Sequence, residues 1–243
     1  MTDIAVSVCV PVYRAHAEPN LSTLAASMEQ ALDGLRGELV IALNGISAAD
    51  AGVPPAALVV DLGLNRGVSP GWNAAAAAAT GAVLVFANDD VVLGARSLRL
   101  LHDALSAHAE AGVVGPVGTR WDLSVPKHLE WVDLSGREPG ELEACEVISG
   151  FLFATRSEVL ETVGGFDEAY APCSYEEVDF CTDVRMRLGL QCYAVAGVKT
   201  EHEYGISVAS PWKRIRHNGR SELLRSIHVR NERHFKSKWR GRV

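Results

Sequence analysis

Ala82-Val83-Leu84-Val85-Phe86-Ala87-Asn88-Asp89-Asp90 is the stretch that decides the fold. Six apolar residues in a row are followed at once by one amide and two carboxylates. A short apolar run without alternation reads as a strand buried on both faces, the kind found inside a parallel sheet. The polar triplet then marks the carboxyl end of that strand.

Working outward, the same pattern recurs. Ile4 to Val12 is an apolar, β-branched run that closes on Pro11-Val12-Tyr13. Leu21 to Leu35 carries apolar residues at helical spacing, with Asn20 placed to cap it behind Pro19. Glu38 to Leu43 reads as a second strand, ending at the turn pair Asn44-Gly45, and Ala57 to Leu62 as a third. Ser69 reads as the cap of a helix with Pro70 in its first position, running through the alanines at 74–79 to Thr80-Gly81. Arg96 to Ala111 reads as a further helix. Strands alternating with helices imply an α/β fold with a mostly parallel central sheet flanked by helices. Ligands of such sheets bind beyond the carboxyl ends of the strands. Pro11-Val12-Tyr13, Asn44-Gly45, Asn65-Arg66-Gly67 and Asn88-Asp89-Asp90 are therefore expected along one edge.

The second half is less regular. Residues 118–145, with Trp121, Pro126, Trp131 and Pro139, read as a long loop or short hairpin over the site. Glu146 to Ala154 and Gln191 to Ala196 read as strands, and Ser174 to Leu188 as a helix. The tail from Trp212 to about Trp239 reads as helical. With no internal repeat and no linker, one domain is expected over residues 1–243.

Composition bounds the function. Hydrophobic residues at 48% and charged residues at 22% fit an ordinary globular protein. No segment approaches the roughly 18 apolar residues a membrane span needs. The start, Met1-Thr2-Asp3-Ile4, has no basic region of the kind that opens a secretory signal. Five cysteines without Cys-x-x-Cys spacing read as reduced thiols of a cytoplasmic protein. The net charge is −7, but Trp212 to Val243 holds eleven Lys or Arg against two Glu, a local +9, which leaves −16 on the rest. So acidic a body argues against nucleic-acid binding. The basic tail reads either as a contact with the inner face of a membrane or as a packing or dimer element.

Two adjacent carboxylates at a strand end repel unless a cation or solvent relieves them. A hard divalent ion, Mg²⁺ or Mn²⁺, would take one or two carboxylates plus phosphate oxygens of a substrate. A plain exposed turn is the competing explanation. Glu176, Glu177 and Asp179 cluster at the start of a helix, where the macrodipole alone favours one or two acids.

The ordered set of motifs resembles family 2 glycosyltransferases, in the rhamnosyltransferase-like branch. Val6-Ser7-Val8-Cys9-Val10-Pro11-Val12-Tyr13 resembles that family's opening strand. Asn65-Arg66-Gly67, then Gly71-Trp72-Asn73, resembles its Asn-x-Gly…Asn segment. Asn88-Asp89-Asp90 stands in place of its Asp-x-Asp metal motif. Gly164-Gly165-Phe166-Asp167-Glu168 and Tyr175-Glu176-Glu177-Val178-Asp179 resemble its acceptor-side stretch, and His202-Glu203-Tyr204-Gly205-Ile206-Ser207 its late His-x-x-Gly-x-Ser segment. The similarity spans roughly residues 4–207.

The resemblance implies the GT-A nucleotide-diphosphosugar fold and an inverting transfer to a glycan, a lipid-linked sugar or a small-molecule acceptor. It divides the chain into a nucleotide-sugar half (1–117), an acceptor half (118–207) and the basic tail (208–243). It implies metal ligation by Asp90 with Asp89, and by His202. Donor contacts fall to Pro11, Tyr13, Asn44, Asn65, Arg66, Asn73, Asn88 and Asp89. The family's catalytic Asp is replaced by Glu177, which leaves the base open between Glu177 and Glu176. Asp179, Trp121 and Trp131 fall on the acceptor side. Departures at Leu43, Asn88 and Glu177 keep a degenerate nucleotide-sugar-binding protein in view. A sugar nucleotidyltransferase is disfavoured, because Tyr13-Arg14-Ala15-His16-Ala17 has no glycine-rich phosphate loop.

Overall fold

The computed structural model describes residues 4–14, 20–202 and 212–243. In chain order these form β1 (Val6–Val12), α1 (Leu21–Leu32), β2 (Gly37–Leu43), α2 (Ala48–Ala51), β3 (Leu58–Asp61), α3 (Val68–Ala78), β4 (Val83–Ala87), β5 (Val91–Leu93), α4 (Ser97–Ala107), β6 (Ala111–Gly115), β7 (Gly118–Asp122), β8 (Lys127–Trp131), β9 (Leu142–Cys145), β10 (Val147–Ile148), β11 (Leu152–Arg156), α5 (Ser157–Val163), a 3-10 turn (Glu168–Tyr170), α6 (Glu176–Leu188), β12 (Gln191–Val195), β13 (Thr200–His202), β14 (Arg214–His217), β15 (Arg220–Leu223) and α7 (Leu224–Trp239).

Eight strands build the central sheet in the order β3-β2-β1-β4-β11-β6-β12-β9. β1 runs parallel to β2 and β4, β2 to β3, and β6 to β12, whereas β11 and β9 run against their neighbours. Six of the eight strands therefore share one direction. β6 comes from the first half of the chain and lies between β11 and β12 of the second, so both halves share one sheet.

Strand alternation sorts the core into two layers. Val6, Val8, Val10 and Val12 of β1 pack with Leu24 of α1 and with Leu98 and Leu101 of α4. Cys9 faces the other way, into a cluster with Trp72, Phe86, Phe153, Phe166 and Phe180. Trp72 is 1% exposed and meets Phe86 at 5.7 Å and Phe153 at 5.2 Å, both edge to face. Truncating such a ring to alanine costs about 3–5 kcal/mol.

The Asn20 cap is present: its side chain accepts from Ser22 and Thr23, and Thr23 answers with a bond from the Asn20 backbone N–H. Other expectations change. The α3 cap is Gly67, not Ser69. Its φ of 105° and a would-be Cβ only 2.8 Å from Pro172 Cα admit no larger residue. Pro70 then sits in the first turn, where a missing N–H costs nothing. Over residues 118–145 the hairpin alternative holds, formed by β7 and β8, and β9 adds to the central sheet edge, which was not expected. The run Glu146 to Ala154 is two strands, broken at Ser149-Gly150-Phe151. The helix expected over 96–111 ends at Ala107. The basic tail is not one helix, because β14 and β15 form a hairpin before α7 starts.

α7 packs on the acidic body. Lys238 Nζ reaches Asp179 at 2.6 Å and both Asp167 and Asp183 at 3.3 Å, while His234 Nε2 meets Asp167 at 3.0 Å. Part of the tail's charge is thus used inside the fold.

Candidate active site

The parallel register of β1, β2, β3 and β4 brings their carboxyl ends to one edge. There Pro11, Tyr13, Asn44, Asn65 and Gly67 line a cavity of about 80 Å³, closed by Pro172, Cys173 and Ile215. Five segments far apart in sequence meet at this cavity.

Asn44 shapes it from beneath. Its Nδ2 donates to Gly67 O at 2.9 Å, and its Oδ1 accepts from Arg66 N at 2.7 Å. Both ends of the amide are therefore committed to the β3–α3 loop. Asn65 holds the opposite wall: Nδ2 donates to Arg216 O at 2.9 Å, and its carbonyl accepts from Asn218 N at 2.7 Å. Arg66 is exposed beside them. Asn73 is elsewhere. Its side-chain amide donates to Phe166 O at 2.9 Å and accepts from Phe166 N at 2.8 Å, and the residue lines a separate cavity with Ala76 and Leu160. Its place in the donor set is not supported by this geometry; it clamps the 164–168 loop.

His202 comes to Asp90 through a two-stranded ribbon in which His202 lies opposite Val91. Its Nε2 stands 3.2 Å from Asp90 Oδ1 and 3.2 Å from Asn88 Nδ2. The ring stacks on Phe151 at 4.7 Å and 13°. Both partner side chains are nine-tenths buried. Residues 203–207 of the same motif, with Gly205 and Ser207, lie outside the described residues. The donor set fits the implied metal. At 3.2 Å apart, Asp90 Oδ1 and His202 Nε2 would both reach one divalent ion, and substrate phosphate and water would complete the ligation of Mg²⁺ or Mn²⁺. Asp89 parts from this pair and lines another cavity with Arg14, Asn20 and Ser22. Burial, then the Asp90 charge, pushes its carboxyl up to about 7 against the pull of Arg14.

Ser174 and Tyr175 both take positive φ, 79° and 77°, immediately before α6. Neither is a residue that adopts this region readily. Tyr175 is held there by rings: His228 at 5.3 Å, Phe235 at 5.7 Å, and Tyr170 and Trp121 each at 6.4 Å. The bend presents Glu176 and Glu177 at the helix start. Glu176 is 7% exposed, and its Oε2 is buried without a hydrogen-bond partner among the described residues. Burial first, and the Glu177 charge second, raise its carboxyl well above the usual range. Glu177 is raised by burial, offset by the N–H groups of Glu177 and Val178. Its side chain lies along Gly150, whose would-be Cβ would stand 3.3 Å from the Glu177 carboxyl carbon. Gly150 adjoins Phe151, which accepts from Asn88 N at 2.9 Å and stacks on His202. One short turn thus links the carboxylate to the Asp90–His202 edge.

Asp179 is not on the acceptor surface. Tyr170 Oη (3.0 Å), Trp239 Nε1 (2.8 Å) and Lys238 Nζ (2.6 Å) all donate to it, and it is 2% exposed. It anchors α7. Trp121 and Trp131 sit on the β7–β8 hairpin with His128 between their rings, and Trp121 also meets Tyr175. Cys173 lines the first cavity, but burial and Glu176 push its thiol up to about 12, which leaves it unreactive.

Sequence reasoning missed the Gly150-Phe151 turn and the Ile215 wall. The Ser-Gly pair at 149–150 and the Asn-Gly pair at 218–219 were the available signals.

No protein-family model and no curated protein matches the chain. Among solved structures it is similar to GalNAc-T7 with UDP, GalNAc and Mn²⁺, at 15% identity and a TM-score of 0.67 over 94% of this chain and 47% of that one. It is also similar to the mannosyltransferase PcManGT of Pyrobaculum calidifontis in complex with GDP-Man and Mn²⁺, at 20% identity and TM-score 0.53 over 77% and 53%. A third is S. aureus TarS 1–349, at 17% identity and TM-score 0.53 over 75% and 55%. The likeness shows the fold, that of GT-A glycosyltransferases. The chain spans about half the length of these structures.

Proposed function

We propose that this protein is a metal-dependent, inverting glycosyltransferase. It moves a hexosyl or deoxyhexosyl group from a nucleotide-diphosphate sugar to a hydroxyl or amine of a glycan, a lipid-linked sugar or a small molecule. The observation that carries this is the buried Asp90–His202 pair at the carboxyl edge of β4, joined through Gly150-Phe151 to the Glu177 carboxyl. The solved structures with UDP or GDP-Man and Mn²⁺ on the same fold support it.

In this reading Pro11, Tyr13 and Ile215 flank the nucleobase, and Asn44 and Asn65 hold the cavity's shape. Arg66 and Arg14 face the diphosphate, and Asn88 bonds the ribose. Asp90 and His202 would hold Mg²⁺ or Mn²⁺, which when bound would supply positive charge against that developing on the departing diphosphate. Glu177 takes the acceptor's proton from the face opposite the leaving group. Burial raises its affinity for that proton. Glu176, the more enclosed of the two, keeps its proton because burial and the Glu177 charge oppose its ionisation, which leaves the charge of the pair to Glu177.

The test is release of nucleoside diphosphate on mixing donor, acceptor and Mn²⁺. Asp90→Ala should abolish it, and Glu177→Gln should lower kcat by about 10²–10⁴ with folding intact. Unchanged turnover in Asp90→Ala sinks the metal role.

The tail extends the reading to a cytoplasmic protein resting on the inner face of a membrane. Arg216, Arg220, Arg225, Arg233, Arg240 and Arg242 are exposed, and Trp212 is 66% exposed with Arg225 over its ring at 5.9 Å. Binding to anionic vesicles should fall steeply with salt; binding indifferent to salt would leave the tail as a packing or dimer surface.

A further inference from the structure

Asn231 is a polar residue on the buried face of α7. Leu224, Ile227, Asn231, Phe235 and Trp239 recur there at helical spacing, and Asn231 is 0% exposed. A buried amide needs partners at both ends. Its Nδ2 donates to Tyr170 O at 2.6 Å and to Cys173 O and Ser174 O, each at 2.9 Å. Its Oδ1 accepts from Arg230 Nε at 3.2 Å. A flipped amide would set its oxygen against three carbonyls, so the orientation is fixed.

Those carbonyls belong to the bend that starts α6. Ser174 and Tyr175 hold φ of 79° and 77°, a region that side chains oppose. Tyr175 is the N-cap of α6, and no side chain caps that helix end. Tyr175 O accepts from Asp179 N at 2.8 Å, the first bond of the helix. The bend therefore sets the direction in which α6 leaves, and with it where Glu176 and Glu177 stand. The Tyr175 ring is met from the same side of α7, by His228 one turn before Asn231 and by Phe235 one turn after. The start of the loop is tied elsewhere. Pro172 O accepts from Val68 N at 2.8 Å, Gly67 packs on Pro172, and Arg230 Nη2 donates to Ala171 O.

We infer that Asn231 is a positioning residue: it holds the Ser174-Tyr175 bend in its strained form and so sets the acid pair at the start of α6. The inference rests on the transferase reading of that pair. It gives α7 a part in turnover, beyond packing and membrane contact. Without Asn231 three buried carbonyls lose a donor, and Ser174 and Tyr175 relax toward negative φ. The first turn of α6 then swings and carries both carboxylates with it. The Val68 and Arg230 bonds still hold the start of the loop, so the nucleotide cavity keeps its wall.

Asn231→Ala would be compared with the full wild-type chain and with Asn231→Ala combined with Ser174→Gly. Glycine takes positive φ without a clash, so the second change lets the bend persist with less restraint. Calorimetry measures UDP and GDP affinity in Mn²⁺. Turnover is release of UDP or GDP from UDP-sugars and GDP-sugars with oligosaccharide acceptors, and hydrogen exchange follows the amides at 174–178. Thermal melts check folding; Asn231→Ser, which keeps one hydroxyl donor, replaces Asn231→Ala should that chain not fold. The expected result is nucleotide affinity held within about twofold, kcat lowered roughly ten- to a hundredfold, and faster exchange at 174–178. Ser174→Gly should restore most of the lost kcat. An unchanged kcat, or a loss that Ser174→Gly does not lessen, overturns the positioning role. No turnover by wild type with any donor would refute the transferase reading. Exchange would then decide the positioning alone: faster in Asn231→Ala upholds it, and unchanged overturns it.

Discussion

His202 Nε2 stands 3.2 Å from Asp90 Oδ1, and the strand pairing of β13 with β5 is what brings them together. The ring's stack on Phe151 fixes its plane, so the imidazole meets the carboxylate with little freedom left to lose on binding a metal. His202→Ala should therefore weaken Mn²⁺-dependent nucleotide binding without unfolding the chain. In thermal shift with UDP or GDP at about 100 times Kd, wild type should gain about 2.7 kcal/mol of apparent stability when Mn²⁺ is added. His202→Ala should lose most of that gain, and an undiminished gain would remove His202 from the metal set.

Gly150 sets the position of the proposed base. A methyl group there would stand 3.3 Å from the Glu177 carboxyl carbon, tighter than ordinary contact. Gly150→Ala should displace the carboxylate by a few tenths of an Ångström. Misplacement on this scale costs catalysis more than binding, so kcat should fall by roughly ten- to a hundredfold while nucleotide affinity holds. Steady-state kinetics and calorimetry on the same variant separate the two. A loss confined to nucleotide affinity would assign Gly150 to the donor side.

How much of this was legible in the sequence follows from what strands and turns announce. β1, β2 and β4 were legible because buried parallel strands read as continuous apolar runs, β3 because its Leu58-Val59-Val60 run is apolar although it lies exposed at the sheet edge, and their polar ends then fell on one edge. The Asn20 cap was legible for the same local reason. The β14–β15 hairpin was not read, although Asn218-Gly219 sits at its turn with φ of 46° and 70°. The surrounding Arg-rich composition masked it as a helix. Asp179 and Asn73 matched a motif, but motif position does not say which way a side chain turns. Only the packing of α7, and of the 164–168 loop, commits them to structural bonds.

The acid pair makes a pH prediction whose sign can be worked out. Glu176 holds its proton more tightly folded than unfolded, because burial and Glu177 oppose its charge. Raising pH through its unfolded value therefore removes stability, until the folded group also ionises. Replacing it with a neutral isostere abolishes that loss. Glu176→Gln should be more stable than wild type at neutral pH, and the advantage should vanish below the ordinary glutamate range, where both proteins are neutral at this position. Denaturation midpoints measured across that interval decide it. An advantage that grew as pH fell would mean Glu176 is ionised and paired in the fold.

Asn65 makes the last prediction, because it ties the nucleotide edge to the C-terminal hairpin. Its side chain donates to Arg216 O and accepts from Gly67 N at 3.0 Å, and its carbonyl takes the Asn218 N–H. The hairpin so held supplies Ile215 to the cavity wall. Asn65→Ala removes the two side-chain bonds and keeps the backbone one. At about 0.5–1.5 kcal/mol per net bond, nucleotide affinity should fall roughly tenfold through loss of the wall. If the wall is what matters, Ile215→Ala should weaken binding in the same direction with Asn65 untouched, and the double variant should lose less than the sum. Independent, additive losses would place Asn65 in contact with the nucleotide instead of behind the hairpin.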